Sequence, residues 1–172
     1  LNGVAIGANL IAVKALDASG SGSSSDVNAG IDWCISNANT YNISVISMSL
    51  GTHCINTPQY CYNYYCDNEP SESSIAIRID NATLKNISVI IASGNNGNYT
   101  HISSPACIKN ATAVSWLNKD DSVSGNSNRN NMTDLFAPGT SINSTRGLNS
   151  CLSGCSCSGV YMSCSGTSMS AP

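Results

Sequence analysis

Short apolar runs that alternate with helical segments restrict the fold of this chain more than any other feature. Residues 9–16, 43–50 and 87–92 each have the length and the branched side chains of a buried strand. Residues 25–36 and 71–85, which lie between these runs, carry apolar side chains near helical spacing. Parallel neighbouring strands need crossover connections of this kind. The pattern therefore predicts a three-layer α/β/α fold with a mostly parallel central sheet.

In the last third of the chain the predicted strands are shorter and more closely spaced. Residues 111–117 have the character of a further strand, and residues 134–145 of two short strands about a turn. Two cysteine-rich segments, at about 52–70 and 147–164, match neither the strand nor the helix period, and we expect both to be surface loop insertions.

The 172 residues are enough to bury one core, so residues 1–172 are expected to form part of a single domain. The chain begins with Leu1 and stops at Pro172 inside a motif, which favours an internal fragment that is truncated at both ends.

Charge and hydropathy exclude two classes of partner. Charged residues make up 10% of the chain and the net charge is -3, so no basic face is available to neutralise phosphates. The longest apolar runs are far shorter than the roughly 20 residues that span a bilayer. We therefore expect neither nucleic acid nor a membrane as a partner. We also expect a monomer.

Cysteines and glycosylation patterns indicate an oxidising compartment. Nine cysteines are many for a cytosolic domain of this size, and their spacings differ from those of zinc sites. We expect disulfides that pin the two cysteine-rich segments, Cys34 as a buried helix residue, and at least one thiol that is free or pairs outside the chain. The connectivity cannot be read from the sequence. Asn-x-Ser/Thr patterns, which can also arise by chance in a chain rich in these residues, begin at Asn42, Asn81, Asn86, Asn98, Asn110, Asn131 and Asn143. Together these features favour an exported glycoprotein.

Two polar residues are candidates for acyl-transfer chemistry. Ser168 lies in a small glycine-led turn at a predicted helix start, where free N–H groups favour a developing negative charge. The same string also fits an ordinary serine N-cap. Asn95 follows the strand predicted at 87–92 and can supply a neutral side-chain donor for an oxyanion.

A series of short segments occurs in a fixed order over nearly the whole chain. In chain order they are Asn2-Gly3-Val4-Ala5 with Ala12-Val13-Lys14, Ile46-Ser47-Met48-Ser49-Leu50-Gly51, Ala92-Ser93-Gly94-Asn95-Asn96-Gly97, Ala137-Pro138-Gly139 with Ser141-Ile142, and Gly166-Thr167-Ser168-Met169-Ser170-Ala171-Pro172. Each alone is a weak pattern, whereas the set in this order resembles the subtilisin-like serine peptidases. The resemblance implies a subtilisin-like fold and a partial peptidase domain.

The resemblance also implies catalytic roles. Ser168 matches the nucleophile, and its own N–H with the amide of Asn95 matches the oxyanion hole. Pro105 matches a proline that follows a cis peptide bond in relatives.

Two further segments match substrate-binding elements of the family. Ser49, Leu50 and Gly51 match the segment that pairs with an extended substrate. Ala92, Ser93 and Gly94 match the wall of the pocket for the side chain before the scissile bond.

The aspartate and the histidine of the triad would precede Leu1 by the same resemblance. His53 and His101 do not match the family's base, although His53 is close enough to the substrate-binding segment to contact a substrate. Residues 1–172 alone are therefore expected to be inactive. They are also expected to fold poorly, because they end inside the helix that would carry Ser168 into the core. Family members often bind calcium, but no metal ligand can be named within this chain.

Two functions follow as alternatives. The first is a secreted serine endopeptidase that acts on polypeptides through an acyl-enzyme at Ser168. The second is a catalytically inactive relative that keeps the peptide groove as a binding surface. Asp67, Glu69 and Glu72 follow the substrate-binding segment and could favour basic side chains in a substrate, although such residues more often belong to a solvated loop.

Overall fold

A computed structural model of the chain describes residues 4–54, 60–147 and 150–172. Its elements are, in chain order, α1 (Ser24–Ser36), α2 (Ala38–Tyr41), β1 (Val45–Met48), β2 (Cys61–Tyr62), α3 (Ser73–Leu84), β3 (Ser88–Ala92), β4 (Ile102–Ser103), β5 (Thr112–Leu117), β6 (Leu135–Pro138), β7 (Ile142–Thr145), β8 (Ser156–Ser158), β9 (Tyr161–Cys164) and α4 (Thr167–Ser170).

A four-stranded parallel sheet in the order β1-β3-β5-β6 forms the centre of the molecule. Val89 and Ile91 of β3 face a core that includes buried residues of α1 and α3. Ala92, on the alternate face of the same strand, packs with Val114 and with Ala171, which follows α4. The helices therefore cover both faces of the sheet, and the predicted α/β architecture is confirmed.

The two long helices begin and end close to their predicted positions. Ser23 caps α1 by accepting a hydrogen bond from the Asp26 N–H, while the Asp26 side chain accepts from the Ser23 N–H. Helix α3 buries Ile75 and Ile79 and packs against α1 and β3. This crossover helix delivers the chain to β3 parallel to β1, as the sequence pattern requires.

The strand predicted at residues 9–16 is wrong. These residues have no strand conformation, and Leu10 is 94% exposed. A strand needs a neighbouring backbone to bond with its N–H and C=O groups, and none pairs with residues 9–16 among the described residues. Val13 lies instead across a cavity of about 340 Å³ from Ile46 of β1.

The first cysteine-rich segment is more than a surface loop. Strand β2 pairs with β4 in antiparallel fashion, and disulfides join Cys54 to Cys61 and Cys66 to Cys107. Cys66 and Cys107 are fully buried in the core, so their disulfide ties this segment to the core. Residues 55–59 of this segment lie outside the described residues.

The second cysteine-rich segment was also expected to be a loop, and the structure corrects this. Strands β7, β9 and β8 form an antiparallel sheet in that order. Disulfides join Cys151 to Cys157 and Cys155 to Cys164. The strands are short and largely exposed, so they lack the apolar alternation by which sequence reasoning finds strands. Residues 148–149 lie outside the described residues.

The prediction of two strands within residues 134–145 is confirmed, but they belong to different sheets. Strand β6 extends the parallel sheet, whereas β7 begins the antiparallel one. Ser141 between them has a φ of 52°, which turns the chain.

The predicted cis peptide bond is present between Ser104 and Pro105. The remaining cysteine, Cys34, is free and buried in α1, as expected. Burial raises the pKa of the Cys34 thiol, so the neutral form is favoured. Among the described residues no helix has the length and hydropathy to cross a bilayer.

The disulfide between Cys66 and Cys107 should stabilise the fold most. It closes a separation of 41 residues, against 7 for the one between Cys54 and Cys61. A disulfide stabilises a fold mainly by lowering the entropy of the unfolded chain, and the effect grows with the length of the closed loop. The free energy of unfolding should therefore fall by about 4 kcal/mol in the Cys66→Ala/Cys107→Ala variant and by about 2.5 kcal/mol in Cys54→Ala/Cys61→Ala. Urea unfolding of the protein that contains this chain measures both losses. Equal losses would contradict this order.

Candidate active site

The candidate site lies at the carboxyl edge of the parallel sheet, where ligands collect in open α/β sheets. Strand β1 ends at Met48 and is followed by Ser49, and β3 ends at Ala92. A cavity of about 550 Å³ opens between the two strand ends. Residues that line its inner end are Ser49, Leu50, Gly51, Ala92, Gly94, Asn95 and Ser168.

Ser168 is the second residue of α4 and sits against the end of β1. Its Oγ lies 3.5 Å from the carbonyl oxygen of Ser49, and the Ser49 hydroxyl donates to the Ser168 carbonyl at 2.8 Å. These reciprocal contacts fix the serine beside the segment that the resemblance assigns to substrate binding.

The turn before Ser168 packs closely against Gly139. The Gly166 N–H donates to the Gly139 carbonyl at 2.9 Å. A Cβ at Gly139 would lie 2.3 Å from the Ser170 Oγ and 2.7 Å from the Gly166 carbonyl. Only glycine permits this close approach, which explains the glycine of the Ala137-Pro138-Gly139 segment.

Asn95 is held to the serine turn by its amide oxygen. The Asn95 Oδ1 accepts hydrogen bonds from the Thr167 N–H at 2.8 Å and from the Thr167 hydroxyl at 2.9 Å. The same hydroxyl accepts from the Gly94 N–H at 3.2 Å. With its oxygen held in this way, the Asn95 amide leaves its Nδ2 as the group that can donate into the cavity.

Asn128 supports the turn that carries Asn95, and sequence reasoning missed it. Its Oδ1 accepts from the N–H groups of Asn96 and Asn98, at 2.9 and 3.0 Å. Its own N–H donates to the Gly94 carbonyl at 2.9 Å. Asn128 is fully buried, so these bonds are made without competition from water.

Gly94 is a glycine because of Asn128. A Cβ at Gly94, whose φ is 111°, would lie 2.3 Å from the Asn128 Nδ2. The Ser-Asn-Arg surroundings of Asn128 carry no motif, so only its position in the fold reveals this role.

The comparisons with known proteins agree with this geometry. The profile of the subtilase family matches residues 1–172. The chain belongs to the subtilase family, whose members are serine proteases.

Three individual proteins are similar to this subtilase chain. Proteinase T of Parengyodontium album is 35% identical over 146 residues, which is 83% of this chain and 44% of that protein. The minor extracellular protease Epr of Bacillus subtilis is 32% identical over 146 residues, which is 84% of this chain and 19% of that protein. A solved structure of a cold adapted subtilisin-like serine proteinase superposes with a TM-score of 0.63 at 27% identity, covering 92% of this chain and 47% of that one. This chain therefore spans less than half the length of each.

Most of the predicted substrate-binding residues of this subtilase chain meet at the cavity. Ser93 is the exception, because its side chain is fully buried and does not line the cavity. Its hydroxyl donates to the Asn128 carbonyl at 2.7 Å and lies 2.9 Å from the Ser115 hydroxyl. The Ser93 N–H donates to the Val114 carbonyl and its C=O accepts from the Ser103 N–H. Ser93 therefore supports the wall of the cavity, and its side chain ties the turn to β5.

The described residues offer Ser168 no basic partner. His101 lies beside Thr100, whose hydroxyl is 2.7 Å from its Nδ1. His53 lines the cavity and is exposed, so it can contact a substrate as the sequence suggested. No three His, Cys, Asp or Glu side chains of residues 4–54, 60–147 and 150–172 come together as a metal site.

Replacement of Thr167 tests how Asn95 is held. Thr167→Val removes the hydroxyl that bridges Asn95 and Gly94 but keeps the shape of the side chain. The variant loses two hydrogen bonds of about 1 kcal/mol each, so we expect kcat of the full-length protein on a peptide substrate to fall roughly 30-fold with little change in KM.

Thr83→Val is the matched control, because Thr83 is exposed and its hydroxyl donates to the Ile79 carbonyl within helix α3. Steady-state kinetics on one peptide substrate measure all three proteins. Equal kcat for the Thr167→Val variant and the parent would contradict the positioning role.

Proposed function

We propose that the protein containing this chain is a serine endopeptidase that forms an acyl-enzyme on Ser168. The supporting observation is that the Ser168 hydroxyl, the Asn95 amide and the Ser49-Leu50-Gly51 segment converge on one cavity at the carboxyl edge of the sheet. A nucleophile, an oxyanion donor and a backbone edge for an extended peptide are three of the elements that acyl transfer requires.

In this proposal the Ser168 Oγ attacks the carbonyl carbon of the scissile peptide bond. The hydroxyl proton passes to a histidine that residues 1–172 do not supply. The oxygen of the tetrahedral intermediate accepts hydrogen bonds from the Asn95 Nδ2 and the Ser168 N–H. When the C–N bond breaks, the amine leaves with that proton, and water then hydrolyses the Ser168 ester and restores the hydroxyl.

The substrate would lie in the groove as an added strand. Ser49, Leu50 and Gly51 follow β1 without a described partner strand on this side, so their backbone groups can pair with an extended peptide. Ala92 and Gly94 line the cavity opposite them. In the proposed pose they flank the side chain that precedes the scissile bond.

Export and glycosylation are part of the proposal. Four disulfides suit an oxidising compartment. All seven acceptor asparagines are at least partly exposed, and each can therefore carry a glycan without disturbing the core. We further propose a monomer that acts on polypeptides.

Labelling with a fluorophosphonate tests the nucleophile. We expect the full-length protein to be modified at Ser168, as read by peptide mapping, and the Ser168→Ala variant to stay unmodified. An unmodified parent that still binds peptides would overturn the protease proposal and favour the inactive, peptide-binding alternative.

Residues 1–172 expressed alone should hydrolyse no peptide, because no base contacts the Ser168 hydroxyl among the described residues. A fluorogenic peptide assay and a thermal melt of this fragment test the proposal together with the expectation that it folds poorly. Turnover that depends on Ser168 would show that a base lies within the chain.

Asn95→Leu tests the oxyanion donor. Loss of one such donor should lower kcat roughly 100- to 1,000-fold and leave KM nearly unchanged. Asn126→Leu is the matched control, since Asn126 is exposed and its side chain lines no part of the cavity. A loss that appears only in KM would contradict a role in the transition state.

A further inference from the structure

The cavity that contains Ser168 continues to a second, polar region. This distal end is lined by Leu16, Val27, Asn28, Glu72, Ser74 and Ile75. It lies between α1 and the start of α3, beyond the Ser49-Leu50-Gly51 segment, and no role has yet been given to its polar groups. A peptide extended along that segment from Ser168 would carry a side chain towards it.

Glu72 provides a buried carboxylate at the distal end. The side chain is 5% exposed and accepts hydrogen bonds from the hydroxyls of Ser104, Tyr62 and Ser71. All three donors are neutral, and within the described part of the chain no Lys, Arg or His side chain forms an ion pair with it. A buried carboxylate is normally paired with a cation, so Glu72 has the character of an acceptor for a ligand.

The other two acidic residues suggested by the sequence are used elsewhere. Asp67 accepts from the Lys109 N–H, and Glu69 accepts from the Tyr64 hydroxyl at 2.8 Å. Neither lines the cavity. Of these three acidic residues, Glu72 therefore is the one that lines the cavity.

Asn28 supplies a second acceptor without a donor. The residue is 8% exposed, and its Oδ1 is buried with no hydrogen-bond partner. Its Nδ2 donates to the Ser74 hydroxyl at 2.9 Å. A buried acceptor without a partner costs free energy, and a donor from a bound ligand would remove that cost.

Among the described residues, Arg78 is a cation that contacts the lining of this region, and it is already engaged. Arg78 donates to the Ser74 hydroxyl at 2.9 Å and forms an ion pair with Asp32 at 2.9 Å. It does not line the cavity. Arg78 therefore supplies no positively charged donor to Glu72 or to the Asn28 Oδ1.

We propose that the distal end of the cavity is a subsite for a lysine or arginine side chain of the substrate, at a position away from the scissile bond. This inference rests on the proposed peptidase function. Leu16, Val27 and Ile75 would pack against the apolar stem, while the charged head would donate to Glu72 and to the Asn28 Oδ1. An acidic side chain would instead lie beside the Glu72 carboxylate, and like-charge repulsion would disfavour it.

Peptide libraries that vary one position at a time test the preference with the full-length enzyme. We expect kcat/KM to be at least about tenfold higher for lysine than for norleucine at one position other than those beside the scissile bond. Glu72→Gln keeps the size of the side chain and should abolish this ratio, whereas Glu72→Asp should retain part of it. Glu69→Gln is the matched control and should leave the ratio unchanged.

The possible results distinguish a failure of the basic subsite from a failure of the proposed peptidase function. Fluorophosphonate labelling of Ser168 with cleavage that is indifferent to lysine at every distal position overturns the basic subsite and leaves the peptidase intact. Retention of the full lysine preference by Glu72→Gln overturns the role of Glu72.

A binding measurement tests the subsite without requiring the protein to cleave the peptide. Fluorescence anisotropy of the full-length Ser168→Ala variant should show tighter binding of the lysine peptide than of its norleucine counterpart, and Ser168→Ala/Glu72→Gln should bind the two equally. Equal affinities in Ser168→Ala would count against the subsite, even if the parent fails to label and proves not to be a peptidase.

Discussion

The two hydrogen bonds between the Asn95 Oδ1 and Thr167 are the contacts on which the site depends. They join residues 72 positions apart in the chain and bring the end of β3 to the turn that carries Ser168. Because the amide oxygen is fixed, the Asn95 Nδ2 and the serine keep a constant relation. Preorganisation of this kind is what makes an oxyanion donor effective, since nothing has to reorient when charge develops.

The strand and helix order of the sheet could be predicted because a parallel sheet imposes it. Buried strands such as β3 are continuous apolar runs, and their crossover helices carry one apolar face. The prediction failed for residues 9–16, where an apolar run has no pairing backbone among the described residues. It failed again for β8 and β9, because short exposed strands joined by disulfides do not need apolar alternation.

Only part of the candidate site could be predicted from the sequence. Ser168 and Asn95 lie in short segments whose residue types and order carry a recognisable pattern. Thr167 and Asn128 act through contacts with residues distant in sequence, so their roles appear only when the chain is folded. Glu72 differs from Asp67 only by burial and by the cavity it faces, neither of which a run of acidic residues reveals.

The central claim is that Ser168 and Asn95 act on the same reacting carbonyl. A crystal structure of the full-length protein after fluorophosphonate modification tests it most directly, because the phosphonyl oxygen mimics the oxyanion. The account predicts phosphorus bonded to the Ser168 Oγ and its oxygen about 3 Å from both the Asn95 Nδ2 and the Ser168 N–H. An adduct on another residue, or an oxygen that points away from Asn95, would contradict it.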